Sequence, residues 1–365
     1  MKEKLRRLWA LLPALVLAAL ALFAWCKPDR AESASERRSL TAFPKPTVES
    51  LWSGRFMTEF ETYSQDQFPM RDAFRAGKAA VSLYGLGQKD SHGLYRYGGY
   101  EVQAEYPLDE NSLDYAVGRF RYLYDTYLKN TGSRVYVSVI PDKNYFLGEA
   151  SGHLTMDYEK LTERIRKSMD YAQYIDLFSQ LEIEDYYKTD IHWRQERLVP
   201  AARYLAGEMG VSLTGQYTEQ TGTEEFRGVY YGQLALPAAG ERLSYLTSDA
   251  LEGCRVYDYE TGKEIPVYDL AACQGRDPYE LFLGGSKSLL TIENPAGDPD
   301  RELILFRDSF GSSLAPLLAE GYSKITLVDI RYVSPAVLGS FLDFHGQDVL
   351  FLYCAAVLSS SETMK

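Results

Sequence analysis

The chain has 365 residues, 45% hydrophobic and 25% charged, enough apolar material for one large domain or two. A formal net charge of −12 excludes the basic footprint that nucleic acid needs, and argues against a strongly anionic substrate held by bulk charge. The four histidines and four cysteines show no metal-ligand spacing, so no metal or other cofactor is expected. Tyrosine, at 29 residues, supplies flat amphipathic surface that serves a sugar groove or half-buried strands alike.

In chain order, Lys2, Lys4, Arg6 and Arg7 precede an uncharged run of 18 residues, Leu8 to Trp25. That length lies between a signal peptide and a short transmembrane helix. Basic residues in front of it keep the N-terminus in the cytoplasm, so the remainder belongs outside. No small-x-small cleavage site follows the run. Residues 1–26 are therefore expected to be a retained membrane anchor, with a cleaved signal as the alternative. Cys26 follows the bulky Trp25 and does not suit a lipoprotein site. In an oxidising compartment Cys254 and Cys273 are a candidate pair that their spacing leaves open, while Cys354 reads as core. Residues 27–48 are polar, carry Pro44 and Pro46, and read as a linker.

The pattern from 49 to 86 predicts helices, broken at Pro69. Residues 93–103 predict a hairpin turning at Gly98-Gly99. A helix is expected over 110–130, a buried strand over 134–143 ending in a loop, a helix over 156–171 and a short strand at 174–177. Residues 188–193 read as a loop feeding a helix to Glu208, with Pro200 kinking it or sitting near its start. The glycine-rich stretch 215–298 reads as a β-rich insertion. Strand, turn and helix then recur: a strand at 301–306, a turn and helix through 320, a strand at 324–329, a helix at 334–345 and a last strand at 348–356. This alternation predicts an α/β domain over 49–365, built on a doubly wound, mostly parallel sheet, with ligands at the carboxyl ends of its strands.

Two segments carry chemistry. In Arg307-Asp308-Ser309-Phe310-Gly311 a serine sits between a strand and a helix, where its side chain faces the crevice and its N–H can serve a developing oxyanion. The same serine reads equally as a helix cap. In Thr189-Asp190-Ile191-His192-Trp193 an extended loop would point Asp190 and His192 the same way, giving Ser309 a base and the base an orienting carboxylate. The alternative is a capping aspartate and a packed histidine. His92 and His153 lie in glycine-containing turns and His345 precedes Gly346, so none competes well.

The segments DQFPMRD, TDIHW, RDSFGSSLAPLL and VDIRY, in that order across about residues 50–356, resemble the DHHW family of exported bacterial proteins. They are also similar to periplasmic alginate O-acetyltransferases, whose catalytic domain is SGNH-hydrolase-like. Here Ile191 replaces the first histidine of the Asp-His-His-Trp motif, and Arg307 stands where SGNH proteins usually have glycine. The resemblance implies Ser309 as nucleophile, His192 as base and Asp190 as its orienter. Arg331 would be an anchoring cation, or else the salt-bridge partner of Asp329. Asp142, Lys143 and Asn144, after another strand end, would line the crevice, and Trp193 and Tyr332 would stack on a sugar or pack in the core. The implied activity is O-acetyl transfer to an exported polysaccharide, with a membrane-bound O-acyltransferase supplying acetyl groups. A carbohydrate esterase with the same site, or a non-catalytic polysaccharide-binding or scaffold protein, are the alternatives.

Overall fold

The structure, a computed structural model, describes residues 2–365, with side chains described for Trp9 and from Leu11 onward. The chain divides into two compact units. One comprises residues 1–91 with 231–237, and the other residues 92–230 with 238–365.

The first unit begins with a helix, Lys2–Cys26, which contains the uncharged run. The side chains of Leu8 and Ala10, part of the expected anchor, lie outside the described set. Among the described residues no helix is long and apolar enough to cross a membrane. Helices Val48–Trp52, Arg55–Asp66 and Arg71–Ala80 follow. The segment read as a linker is not free. Arg38 bonds the Asp66 carboxylate, which also accepts the Thr41 N–H and hydroxyl, each at 2.9 Å. Gln67 donates to the Arg30 carbonyl at 2.9 Å. Backbone polar groups without a regular ladder need such partners, and here side chains supply them.

The second unit is built on an eight-stranded sheet. Its strands are β1 (Arg134–Ile140), β2 (Gln173–Ile175), β3 (Arg255–Asp258), β4 (Lys263–Ile265), β5 (Leu289–Glu293), β6 (Glu302–Arg307), β7 (Lys324–Val328) and β8 (Asp348–Cys354). The spatial order is β4-β3-β5-β7-β6-β8-β1-β2. β7, β6, β8, β1 and β2 pair in parallel, while β5, β3 and β4 extend the sheet antiparallel. The three antiparallel strands come from the stretch 215–298. That stretch also holds a separate hairpin, Thr218–Phe226 with Glu241–Thr247.

Both faces of the parallel region are covered, which is why its strands read as unbroken apolar runs. Successive residues point to opposite faces. Leu303, Leu305, Leu350 and Leu352 join a core with helices α4 (Val199–Glu208) and α5 (Phe310–Leu318). Ile304, Phe306, Val349 and Phe351 join the other, with helices α1 (Glu110–Leu123) and α3 (Tyr158–Ser168). The helix expected over 110–130 continues past α1 as a wider turn, Tyr124–Leu128. Pro200 lies in the first turn of α4, where its missing N–H costs nothing.

Two local expectations change. A helix α2 (Lys143–Ser151) stands where a loop was read, started by Asp142, whose carboxylate accepts the Asn144 and Tyr145 N–H groups. The helix expected over 334–345 is only a short 3₁₀ turn, Pro335–Ser340, in keeping with the weak helix propensity of Gly339 and Ser340. Cys254 and Cys273 are both free thiols.

Candidate active site

β6 ends at Arg307, and the next residue fixes the turn. Asp308 is fully buried; its carboxylate accepts the Phe310 N–H at 3.0 Å and the Cys354 N–H, at the end of neighbouring β8, at 2.7 Å. The turn is thereby tied to two adjacent strand ends. Ser309 follows with an unstrained right-handed backbone, φ −60°, and its side chain makes no capping bond. The cap reading therefore fails. Its Oγ lies instead 2.7 Å from His192 Nε2.

His192 Nδ1 lies 2.6 Å from Asp190 Oδ1, which also accepts the His192 N–H at 3.0 Å. With Nδ1–H donated to the carboxylate, Nε2 carries the lone pair that faces the hydroxyl. Asp190 is fully buried, and its second oxygen accepts the Val229 N–H at 2.8 Å. With these three donors the buried carboxylate stays oriented, while His192 and Ser309 are partly exposed.

The loop carrying this pair is held from several sides. Glu241, in the separate hairpin, accepts the Lys188 and Thr189 N–H groups and the Thr189 hydroxyl at 2.8–2.9 Å. Lys143 Nζ donates to the Tyr187 and Lys188 carbonyls at 3.0 and 3.1 Å. Burial pushes the Lys143 ammonium down to about 7, against the pull of Asp190, Glu241 and Glu101. Gly228 passes so close that a Cβ there would lie 2.2 Å from that of Asp190.

No family model matches the sequence, and no curated protein matches it. Among solved structures the chain is similar to a DHHW family protein from Eubacterium siraeum: 18% identity, TM-score 0.55, covering 76% of this chain and 97% of that one. It is also similar to PatB1 of Bacillus cereus: 19% identity, TM-score 0.60, covering 73% and 96%. A looser likeness is to the O-acetyltransferase domain of AlgJ from Pseudomonas putida: 12% identity, TM-score 0.45, covering 73% and 92%. The fold is shared with the DHHW protein and with PatB1. The resemblance read from segment order is matched in three dimensions.

The remaining residues singled out from the sequence fall elsewhere. Trp193 is 1% exposed and donates its indole N–H to Ser313 Oγ at 2.8 Å, so it is core and not a stacking platform. Asn144 is fully buried, accepting from the Tyr95 hydroxyl at 2.8 Å and donating to the Leu154 carbonyl at 3.1 Å; it does not line a crevice. Arg331 grips Asp329 through Nε and Nη2 at 2.9 and 2.7 Å. The salt-bridge alternative is the one observed. Burial works against this guanidinium, but Asp329 outweighs it and holds the charge firmly. Tyr332 is 48% exposed, with the Arg331 guanidinium 5.5 Å from its ring.

Of the two departures from the family pattern, Arg307 is internal and Ile191 is partly buried. Arg307 is fully buried, its guanidinium near Asp329 at 3.8 Å and bonded to the Lys287 and Asp308 carbonyls at 3.3 Å. Ile191 packs against the core. Sequence reasoning missed Tyr279, whose ring lies flat on the His192 imidazole with centroids 4.0 Å apart and planes 9° apart. It also missed Glu241 and Gly228, while Lys143, expected at the crevice with Asp142 and Asn144, is buried and grips the loop instead. No spacing rule connects these residues to the Asp-x-His loop.

Proposed function

We propose that this chain is an extracytoplasmic O-acetyltransferase that modifies an exported or cell-surface polysaccharide through an acetyl-serine intermediate. One observation carries the reading: His192 bridges Ser309 at 2.7 Å and Asp190 at 2.6 Å through its two ring nitrogens. A buried carboxylate, a histidine and a hydroxyl in that order form the arrangement that activates a nucleophile. Acetyl transfer to a sugar comes from the order of the DHHW-like segments, with likeness of fold behind it.

In this reading His192 Nε2 takes the Ser309 proton as Oγ attacks the acetyl carbonyl. Asp190 stabilises the imidazolium that forms. The Ser309 N–H, at the start of α5, is the candidate donor to the oxyanion. His192 then returns the proton to the leaving group, and acetyl-serine remains. A sugar hydroxyl gives its proton to Nε2 and attacks in turn, releasing Ser309. No acetyl thioester is at hand outside the cytoplasm, so the proposal includes a membrane-bound O-acyltransferase as donor and retention at the membrane by the N-terminal segment. Hydrolysis would use the same residues with water as acceptor.

The test is to incubate the full chain with p-nitrophenyl acetate, with and without an oligosaccharide acceptor. A burst of nitrophenol that is lost in Ser309→Ala, acetyl-Ser309 by mass spectrometry and acetylated sugar are expected. No acetyl-serine and no Ser309-dependent turnover would sink the reading. Free acetate alone, whatever acceptor is offered, would make the chain an esterase.

A further inference from the structure

We infer that Tyr279, tethered by Ser313, is a positioning residue that sets the plane of the His192 imidazole; the inference rests on the acyl-transfer reading of Ser309. Two hydrogen bonds, at Nδ1 and Nε2, define a line through the ring and leave its tilt about that line free. A flat partner on the ring face removes that freedom. Tyr279, in the 3₁₀ turn Pro278–Leu281 and 5% exposed, supplies it, stacked at 4.0 Å and 9°. An aromatic face also favours the imidazolium that forms as the serine is deprotonated.

The stacked ring is also tied to the helix of the nucleophile. The Tyr279 hydroxyl donates to Ser313 Oγ at 2.8 Å. Ser313 is fully buried in α5, the helix that begins just after Ser309. Its Oγ also accepts the Trp193 indole N–H at 2.8 Å and donates to the Phe310 carbonyl at 3.3 Å. One hydroxyl offers two lone pairs and one hydrogen, and all three are used. Trp193 adjoins the base, and Phe310 adjoins the nucleophile. The contacts close a loop from His192 through Tyr279, Ser313 and α5 to Ser309 and back. The base and the nucleophile lie on segments far apart in the chain, and this loop holds them in register.

Tyr279 also packs on Phe282, with centroids 4.9 Å apart, so a truncation there opens space as well as removing the stack. The variants are chosen to separate those effects. In the full chain, acetylation by p-nitrophenyl acetate is measured for Tyr279→Phe, Tyr279→Leu and Ser313→Ala. Tyr279→Phe keeps the stack and should hold kcat within about threefold. Tyr279→Leu should lower kcat about 10- to 100-fold with KM little changed, because a small misplacement of a catalytic group costs that much. Ser313→Ala should fall between the two without a large cavity, and it decides the matter if Tyr279→Leu does not fold. An NMR readout works without turnover. The His192 ring proton signals, identified by their loss in His192→Gln, should move in Tyr279→Leu and stay near their place in Tyr279→Phe. Equal losses in Phe and Leu, a loss in KM alone, or ring signals that do not move would overturn the proposal. Turnover that survives Ser309→Ala overturns the acyl-transfer reading instead, and the ring signals then decide the stack by themselves.

Discussion

His192 differs from the other histidines in what its two nitrogens meet. His153 bonds the Ser151 hydroxyl at 2.9 Å and stacks on Tyr95, and His345 lies beside Gln347 at 2.8 Å. Among the described residues only His192 joins a buried carboxylate to a serine at a strand end. Asp190 holds the tautomer, so Asp190→Asn should leave the fold intact and lower the acetylation rate about 1,000- to 10,000-fold, read as kcat by stopped flow. Wild-type rates in that variant would remove Asp190 from the chemistry. Arg307 teaches a different lesson. It stands beside the nucleophile in sequence, yet its side chain runs inward. A Cβ at Gly311 would lie 2.7 Å from the Arg307 Cβ, so that glycine makes room for it.

At the scale of elements, the Asp-x-His loop has little regular structure, and its order comes from neighbours. Glu241, Lys143, the Glu101 N–H at 2.8 Å on the Lys188 carbonyl and the Tyr230 N–H at 3.1 Å on the Thr189 carbonyl all grip it. Glu241→Gln keeps the size but loses the charge that strengthens three bonds. It should cost about 1–3 kcal/mol in denaturant unfolding and lower kcat more than it raises KM. Gly228→Ala puts a methyl group where Asp190 stands. It should reduce acetylation at least about tenfold, through displacement of the Asp190–His192 pair. Full activity in Gly228→Ala would mean that the loop is softer than its contacts imply.

At the scale of the whole molecule, two neighbouring acids, Asp142 and Glu105, set a pH dependence. Burial raises the Asp142 carboxyl to about 6, despite the bond from the Tyr158 hydroxyl. Burial raises the Glu105 carboxyl to about 7, and the Asp142 charge adds to this. Both folded values lie above the ordinary ones of 3.8 and 4.5, so the folded chain binds more protons than the unfolded one between them. Their contribution to stability is complete below about pH 4 and is lost as pH rises through 6 and 7. Glu105→Gln cannot ionise. Its Tm should fall less between pH 5 and pH 8 than that of the wild type, by about 1–4 °C in calorimetry. An equal fall would show that Glu105 stays charged in the folded chain. Asp66 has the opposite sign. Bonds from Arg38 hold its carboxyl well below the usual range, and its contribution is lost only in strong acid.

The sequence by itself determined the parallel strands, because a strand buried on both faces must be apolar at every position, and 303–306 and 349–352 are. It also put the three residues of the candidate site forward by type and order, since a strand-serine-helix turn and an Asp-x-His loop are local patterns, but it left a capping role open for each and joined them only through the order of the DHHW-like segments. It did not decide Trp193 and Asn144, because a residue named beside a motif can face inward as easily as outward. It did not pair β3, β4 and β5 with the central sheet, since pairing is long-range and the same runs suit a separate insertion. Tyr279 and Glu241 were invisible for the same reason. Only the tertiary structure brings a ring from one loop and a carboxylate from a hairpin against His192 and its loop, because close packing and unpaired backbone groups select partners by position in space and not along the chain.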